Sequence, residues 1–251
     1  RREKDLNKSL SRAVAVIADS ELGRHNILKR YMVDESRIYI APFLPSLNIS
    51  NPNIAINKKI KEKFNISRDY IFYPAQFWAH KNHTYILQGM KILKDEFNTI
   101  IDVVFVGGDT GNLEYVRGIS DELNLSDQVH FLGFVESDDM ASLYKKSIAL
   151  VMPTYFGPTN IPPLEAFALG VPVLYSDLPG LKDQVGDSAL LLDLNNPESM
   201  AKHIVNLLSS ENLRKKLIDL GKKRINIKNN YFEIVSLISF KYQIKIQTWK
   251  K

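Results

Sequence analysis

The chain has 251 residues, 45% of them hydrophobic and 24% charged, with a net charge of +5 and no cysteine. This ordinary globular composition leaves room for one large domain, or for one domain and a piece of another. It excludes disulfides, thiolate chemistry and cysteine-built zinc clusters, fits a reducing compartment, and offers no apolar run as long as a membrane span or a signal-peptide core. Basic residues gather at the two ends, Arg1, Arg2, Lys4 and Lys8 at one and Lys241, Lys245, Lys250 and Lys251 at the other. Such ends read as solvated tails, or as contacts for anionic lipid or nucleic acid. The first residue is Arg, so a fragment or a processed product is expected.

In chain order, residues 13–18 (AVAVIA) read as a buried strand, with Asp19 and Ser20 placed to cap a helix over 21–32. Residues 37–41 form a second strand, closed by Pro42. The prolines, Asn and Ser of the next stretch have linker composition. The elements before it are too few to bury a core alone. A short basic helix over 58–64 leads to a strand at 70–75. Strands at 100–106, 128–132, 148–152, 171–175 and 189–192 then alternate with helices at 83–97, 113–123, 138–145 (capped by Ser137) and 162–169. Helices over 197–209 and 212–224 follow. Each strand is a nearly continuous run of Val, Ile, Leu and Phe, as expected where both faces of a sheet are covered. The pattern predicts an α/β fold, a doubly wound six-stranded parallel sheet with ligands at the carboxyl ends of its strands. Near the C-terminus, residues 231–240 suit an apolar helix face, while 241–247 alternate, which suits a strand or a frayed tail. Trp249 and its flanking lysines fit either a solvated tail or peripheral contact with a membrane surface.

The chain is organised around residues 154–170, TYFGPTNIPPLEAFALG. Gly157, Pro158 and Asn160 force a turn, Pro162 and Pro163 suit the first turn of a helix, and Gly170 stops it. A strand, a loop of free amides and a helix N-terminus make an anion site. Glu165 stands among apolar residues and needs donors there. Two vicinal ribose hydroxyls would supply them, with the loop amides on the phosphates of the same nucleotide. The alternative is a Glu that only complements the helix dipole.

In the first loop, Lys81 precedes a helix that Asn82 is placed to cap, where an ammonium would face the Gly157 loop across a diphosphate; the alternative is a solvated lysine. His80 and His83 lack the nearby ligands a metal would need. The run Gly107-Gly108-Asp109-Thr110-Gly111 admits close approach of backbone to a ligand. It is not a dinucleotide fingerprint, and no lysine makes it a P-loop, so a dehydrogenase and a P-loop NTPase are both poorly supported. After the third strand of this series, the main chain near Gly133, Phe134 and Val135 is placed to read a base edge, with the Phe134 ring beside it or simply packed. Asp183 and Asp187 read as surface residues. No paired carboxylates or nucleophile elbow stand out, which leaves positioning and electrostatics around a leaving diphosphate as the chemistry. A nucleic-acid binder would need aromatics interleaved on a basic face, and none are seen.

Together these pieces resemble the donor-binding, C-terminal half of a GT-B glycosyltransferase of the large retaining family four, the group 1 transferases. The likeness covers residues 70–224 and is carried by YPAQFWAHKNH (73–83), VFVGG (104–108), VHFLGFV (129–135) and FGPTNIPPLEAFALGVPVLYSDLPG (156–180). Residues 13–42 are similar to the last strand-helix-strand of that family's acceptor-binding domain. The implied layout is a remnant of that domain over 1–42, a linker over 43–56, a Rossmann-like donor domain over 57–228 and a C-terminal helix or tail over 229–251. The resemblance also implies a nucleotide diphosphate-sugar donor of UDP or GDP type, no metal or other cofactor, and a glycan or lipid-linked acceptor engaged through the missing N-terminal domain. It places the work in the cytoplasm, as far as the inner face of the membrane, in polysaccharide or glycolipid assembly. Glu165 matches the second Glu of the family's E-x7-E motif, which holds the ribose, and Lys81 the Lys that neutralises the diphosphate. The pair would carry catalysis. Gln76, Gly107, Gly108, Phe134, Val135, Tyr155, Gly157, Pro158, Thr159, Asn160 and Ile161 would complete the donor site. Three departures mark a subtype. Gln76 stands near where a basic residue is common. The first Glu of the pair is absent, with Thr154-Tyr155 in its place and Pro158-Thr159-Asn160 inserted. Most of the acceptor domain is missing, so the piece alone is expected to bind donor without transfer. The alternative is a non-catalytic nucleotide-sugar-binding or scaffold domain.

Overall fold

The computed structural model describes residues 2–51, 54–157, 159–225 and 231–249. The chain divides into two compact units, one formed by Arg1–Phe43 with Asn226–Lys251 and one by Leu44–Ile225. The first holds α1 (Arg2–Arg12), β1 (Val16–Ala18), α2 (Glu21–Arg30) and β2 (Ile38–Ile40). The two strands pair in parallel, Val16 opposite Ile38 and Ala18 opposite Ile40. Ser20 caps α2 as its sequence position suggests, its Oγ accepting the Gly23 N–H at 3.1 Å. The small core is Val16, Ala18, Val33 and Ile38.

The second unit opens with a turn of helix inside the 43–56 stretch of linker composition. It is α3 (Leu47–Ser50), and its Ile49 is 6% exposed within the main core. One buried isoleucine overrides the local Pro/Asn/Ser signal. There follow α4 (Ile60–Lys63), β3 (Tyr70–Pro74), α5 (His83–Asp95), β4 (Asp102–Val106), α6 (Leu113–Glu122), β5 (Val129–Phe131), α7 (Ser137–Lys146) and β6 (Leu150–Met152). Then come α8 (Ile161–Leu169), β7 (Val173–Ser176), α9 (Leu181–Val185), β8 (Leu190–Leu192), α10 (Glu198–Ser209) and α11 (Glu211–Ile225). The six strands are parallel, in the order β5-β4-β3-β6-β7-β8. This is the doubly wound sheet expected. α5 packs with α6 and α10, and α8 with α7 and α11, giving a helical layer on each face. β3, β4, β6 and β7 are the strands between covered faces, and Ile71, Phe72, Val103, Val104, Val151 and Leu174 are fully buried in them.

Two caps differ from the sequence reading. α7 begins at Ser137 itself, with Glu136 before it and no side-chain cap bond. Asn82 precedes α5 in a left-handed conformation (φ 57°, ψ 43°) without capping it. It turns the chain sharply after Lys81 instead, a conformation Asn tolerates better than other side chains. The last element, α12 (Tyr231–Trp249), is one continuous helix. The alternation over 241–247 therefore does not make a strand: no Gly or Pro interrupts the run, and Lys, Gln and Ile all accept helix. Among the described residues, no helix is long and apolar enough to cross a membrane.

Candidate functional site

The strand order reverses between β3 and β6, which are neighbours through Phe72 and Leu150. The loops leaving their carboxyl ends therefore lie side by side, at the place where an open α/β sheet leaves a crevice. Hydrogen bonds join them: the Tyr155 N–H donates to the His80 carbonyl at 2.9 Å, and the Thr154 hydroxyl donates to the same oxygen at 3.2 Å. The loop after β4 joins from the other side. Phe77 N–H donates to the Gly108 carbonyl at 3.0 Å, and Gly107 N–H to the Gly133 carbonyl at 2.9 Å. Gly107 has to be glycine, because a Cβ there would stand 2.3 Å from the Ala75 carbonyl oxygen.

Lys81 and Asn160 meet across this junction, the lysine Nζ donating to Asn160 Oδ1 at 3.2 Å. Lys81 is half-buried, and among the described residues it forms no salt bridge. Burial holds its ammonium below the usual lysine range. Asn160 is the residue before α8, and its Nδ2 donates to the Gly157 carbonyl at 2.9 Å and to the Tyr175 hydroxyl at 2.5 Å. Its main chain is held by Gln184 of α9. The Asn160 N–H donates to Gln184 Oε1 at 3.2 Å, and Gln184 Nε2 donates to the Asn160 carbonyl at 2.6 Å. The 154–160 loop is thus less rich in free amides than the sequence suggests. Tyr155 and Asn160 are taken as described, and Phe156 N–H donates to Thr154 Oγ1 at 3.4 Å. Gly157, Thr159 and Ile161 keep amides with no acceptor among the described residues. The Thr159 hydroxyl is buried with no hydrogen-bond partner.

Glu165 is 7% exposed, and its Oε2 accepts the Tyr144 hydroxyl of α7 at 2.9 Å. The expectation of a carboxylate with no donor but a ligand is corrected here: one oxygen is already satisfied inside the protein. Among the described residues Oε1 accepts no hydrogen bond. Burial raises the Glu165 pKa, and the Tyr144 bond works against that rise. The Tyr144 phenol, fully buried beside this carboxylate, is held well above its usual range.

The remaining expected residues fall around the same edge with different surroundings. Gln76 is exposed, its Oε1 accepting the Trp78 Nε1–H at 3.1 Å. Gly108 is open to solvent. Phe134 is 84% exposed, so its ring is not core packing, whereas Val135 at 8% lies in the core and offers only its main chain. Tyr155, Phe156 and Ile161 present exposed apolar surface beside Lys81's loop. Pro158 lies outside the described residues. The two histidines have separate surroundings. His80 stacks on Trp78 and meets Phe156 edge-on. His83 is buried among Tyr73, Phe77 and Phe105, and burial lowers its pKa to about 4, with the Ala75 main chain working against the drop. Asp183 and Asp187 are exposed, as read. Sequence reading missed Tyr144, Tyr175 and Gln184. Only Tyr175 carried a signal, a hydroxyl at the carboxyl end of an otherwise apolar strand.

The sequence matches the family described as Glycosyl transferases group 1 over residues 56–224. It is 30% identical over 202 residues to the O-antigen chain mannosyltransferase RfbU of Salmonella typhimurium, covering 80% of this chain and 53% of that protein. It is 27% identical over 228 residues to the capsular polysaccharide biosynthesis glycosyltransferase CapM of Staphylococcus aureus, covering 86% and 58%. The chain spans about half the length of the curated relatives it matches. Among solved structures, a glycosyltransferase from Rickettsia africae ESF-5 superposes with a TM-score of 0.78 at 19% identity, covering 94% of this chain and 66% of that one. HepE from Anabaena, solved in complex with UDP, gives 0.77 at 13% identity, covering 99% and 68%. Identities this low speak for the fold alone.

Proposed function

The chain belongs to the group 1 glycosyl transferases, and from that premise we propose that it carries the donor-binding half of a retaining sugar transferase of polysaccharide or glycolipid assembly. The donor is a nucleotide diphosphate-sugar, and the acceptor a glycan or a lipid-linked sugar. The observation that carries the reading is the half-buried ammonium of Lys81. It has an amide oxygen for a partner and no carboxylate among the described residues, and it stands beside the N-terminus of α8 at the switch point of the sheet. A cation desolvated without a counter-ion favours an anionic ligand, and helix-terminus amides favour the same charge.

On this reading Lys81 and the amides of Gly157, Thr159 and Ile161 meet the diphosphate. As the bond from the anomeric carbon to the diphosphate breaks, negative charge grows on the leaving oxygens, and these donors stabilise it. The acceptor hydroxyl oxygen bonds the same carbon from the face the diphosphate leaves, its proton passing to the departing diphosphate oxygen, which retains configuration. Glu165 holds a ribose hydroxyl through Oε1, with Tyr144 fixing the other oxygen. Phe134 lies beside the base. Residues 1–42 correspond to the end of an acceptor-binding domain. A second reading, donor binding without transfer, is favoured by the neutral Gln76 and by the carboxylate missing at Thr154-Tyr155.

Calorimetry with UDP and GDP tests the site. One of the two binds the wild-type chain, and Lys81→Ala and Glu165→Ala each weaken it by about tenfold or more, the loss of one charge-assisted hydrogen bond. Unchanged affinity in both variants overturns the site. A sugar-transfer assay on the full-length polypeptide separates the two readings.

A further inference from the structure

We propose that Gln184 is the positioning residue of the diphosphate site: from α9 it clamps the main chain of Asn160, and so sets where the Lys81 ammonium stands relative to the first turn of α8. The inference rests on the reading of this crevice as a diphosphate site.

Asn160 stands three residues after Gly157, which has φ 123°, a conformation open to glycine. Among the described residues this loop ties Asn160 through its side chain, Nδ2 donating to the Gly157 carbonyl at 2.9 Å, and leaves its main chain to be held from elsewhere. Gln184 holds it with a pair of bonds of opposite polarity, its Oε1 accepting the Asn160 N–H at 3.2 Å and its Nε2 donating to the Asn160 carbonyl at 2.6 Å. One primary amide thereby imitates the main chain of a neighbouring strand. The Tyr175 hydroxyl completes the ring, donating to Gln184 Oε1 at 3.0 Å and accepting from Asn160 Nδ2 at 2.5 Å. With its Nδ2 so committed, Asn160 can turn only Oδ1 to Lys81, at 3.2 Å. Gln184 is itself anchored: Arg224 of α11 donates from Nε to its carbonyl at 3.0 Å. The chain of contacts runs from α11 through α9 to the residue before α8, and ends on the lysine.

The clamp needs an amide and nothing else of similar size. Its oxygen receives two donors while its nitrogen gives one. A carboxylate at the same place keeps the two acceptor bonds but turns its second oxygen on the Asn160 carbonyl. Only the protonated acid restores a donor there. Glu in place of Gln184 therefore makes the site depend on pH in a manner that wild type does not share.

Calorimetry on the 251-residue chain with UDP, GDP, UMP and GMP, paired with thermal unfolding of each variant, tests this. Gln184→Ala and, at pH about 8, Gln184→Glu are expected to lose about tenfold in affinity for the diphosphate that wild type binds, but less than about threefold for its monophosphate. Affinity in Gln184→Glu recovers toward wild type as the pH falls and the new carboxyl takes up a proton, while wild type measured alongside shows no such gain. Equal loss for monophosphate and diphosphate overturns the clamp, since that is damage to the fold rather than to position. Wild-type diphosphate affinity in both variants at all pH values overturns it too and leaves the diphosphate site standing. Absence of diphosphate binding by wild type overturns both the clamp and the reading beneath it.

Discussion

At Glu165 a carboxylate is 7% exposed and touches one phenol, so its neighbours set its protonation more than solvent does. Desolvation raises its pKa, and the Tyr144 hydroxyl, by favouring the charged form, restrains the rise. Tyr144→Phe keeps the ring that packs edge-on against Phe72 and removes only that donor. It should destabilise the fold at pH 7 by about 1–3 kcal/mol, the range for a buried acceptor losing its partner. The sign with pH follows. A carboxyl whose folded pKa is raised weighs against the fold above that pKa and is relieved as pH falls through it toward the unfolded value of 4.5. The gap between wild type and Tyr144→Phe in urea unfolding should therefore narrow on acidification; a gap that widens would remove Tyr144 as the donor that matters. Sequence made Glu165 conspicuous because a charge in an apolar helix is unusual. It hid the Tyr144 partner because the two lie 21 residues apart, on different helices.

Among the elements, the turns that follow the strands do most to shape the crevice, and the tightest is at Gly107. Its φ of 157° and the 2.3 Å approach to the Ala75 carbonyl leave no space for a methyl group. Gly107→Ala must push the β4 loop off the β3 loop, main chain against main chain. A cost of about 2–4 kcal/mol is expected from strain and overpacking together, read as a lower urea midpoint with an unchanged slope. A loss under about 0.5 kcal/mol, typical of an open surface position, would mean that the two loops are free to separate. The strands were legible because continuous apolar runs such as those at β3 and β4 have few alternatives, and Gly170, at φ 70°, ends α8 where its sequence placed it. Less legible were elements whose local pattern is outvoted: α3, hidden by linker composition, and α12, whose alternation at 241–247 imitates a strand. The clamp at Asn160 was invisible for a different reason. Gln184 belongs to no motif, and an amide's role depends on what it faces.

For the molecule as a whole, stability in mild acid should turn on His83, a fully buried ring among aromatic side chains. Burial lowers its pKa from 6.5 to about 4, with the Lys81 charge adding to the effect. Below pH 6.5 the unfolded chain takes up a proton that the folded chain refuses until about 4. The contribution is complete above that window and falls away through it by about 3 kcal/mol. Glu165 shifts in the opposite sense, but only as pH falls through its own folded pKa. Urea unfolding from pH 7 to 4 should show the decline, and His83→Phe should flatten it; an unchanged slope in that variant would assign the acid sensitivity elsewhere. One more property follows from where the partners of Lys81 sit in the chain. The lysine and Asn160 are 79 residues apart, and Gln184 lies a further 24 along. During synthesis, the lysine's loop emerges long before Asn160 and the Gln184 that holds it. On the proposed diphosphate site, a ribosome-bound chain halted short of α9 would own the ammonium and Gly157 yet lack the Gln184 clamp, so nucleotide capture would report that α9 had joined the fold.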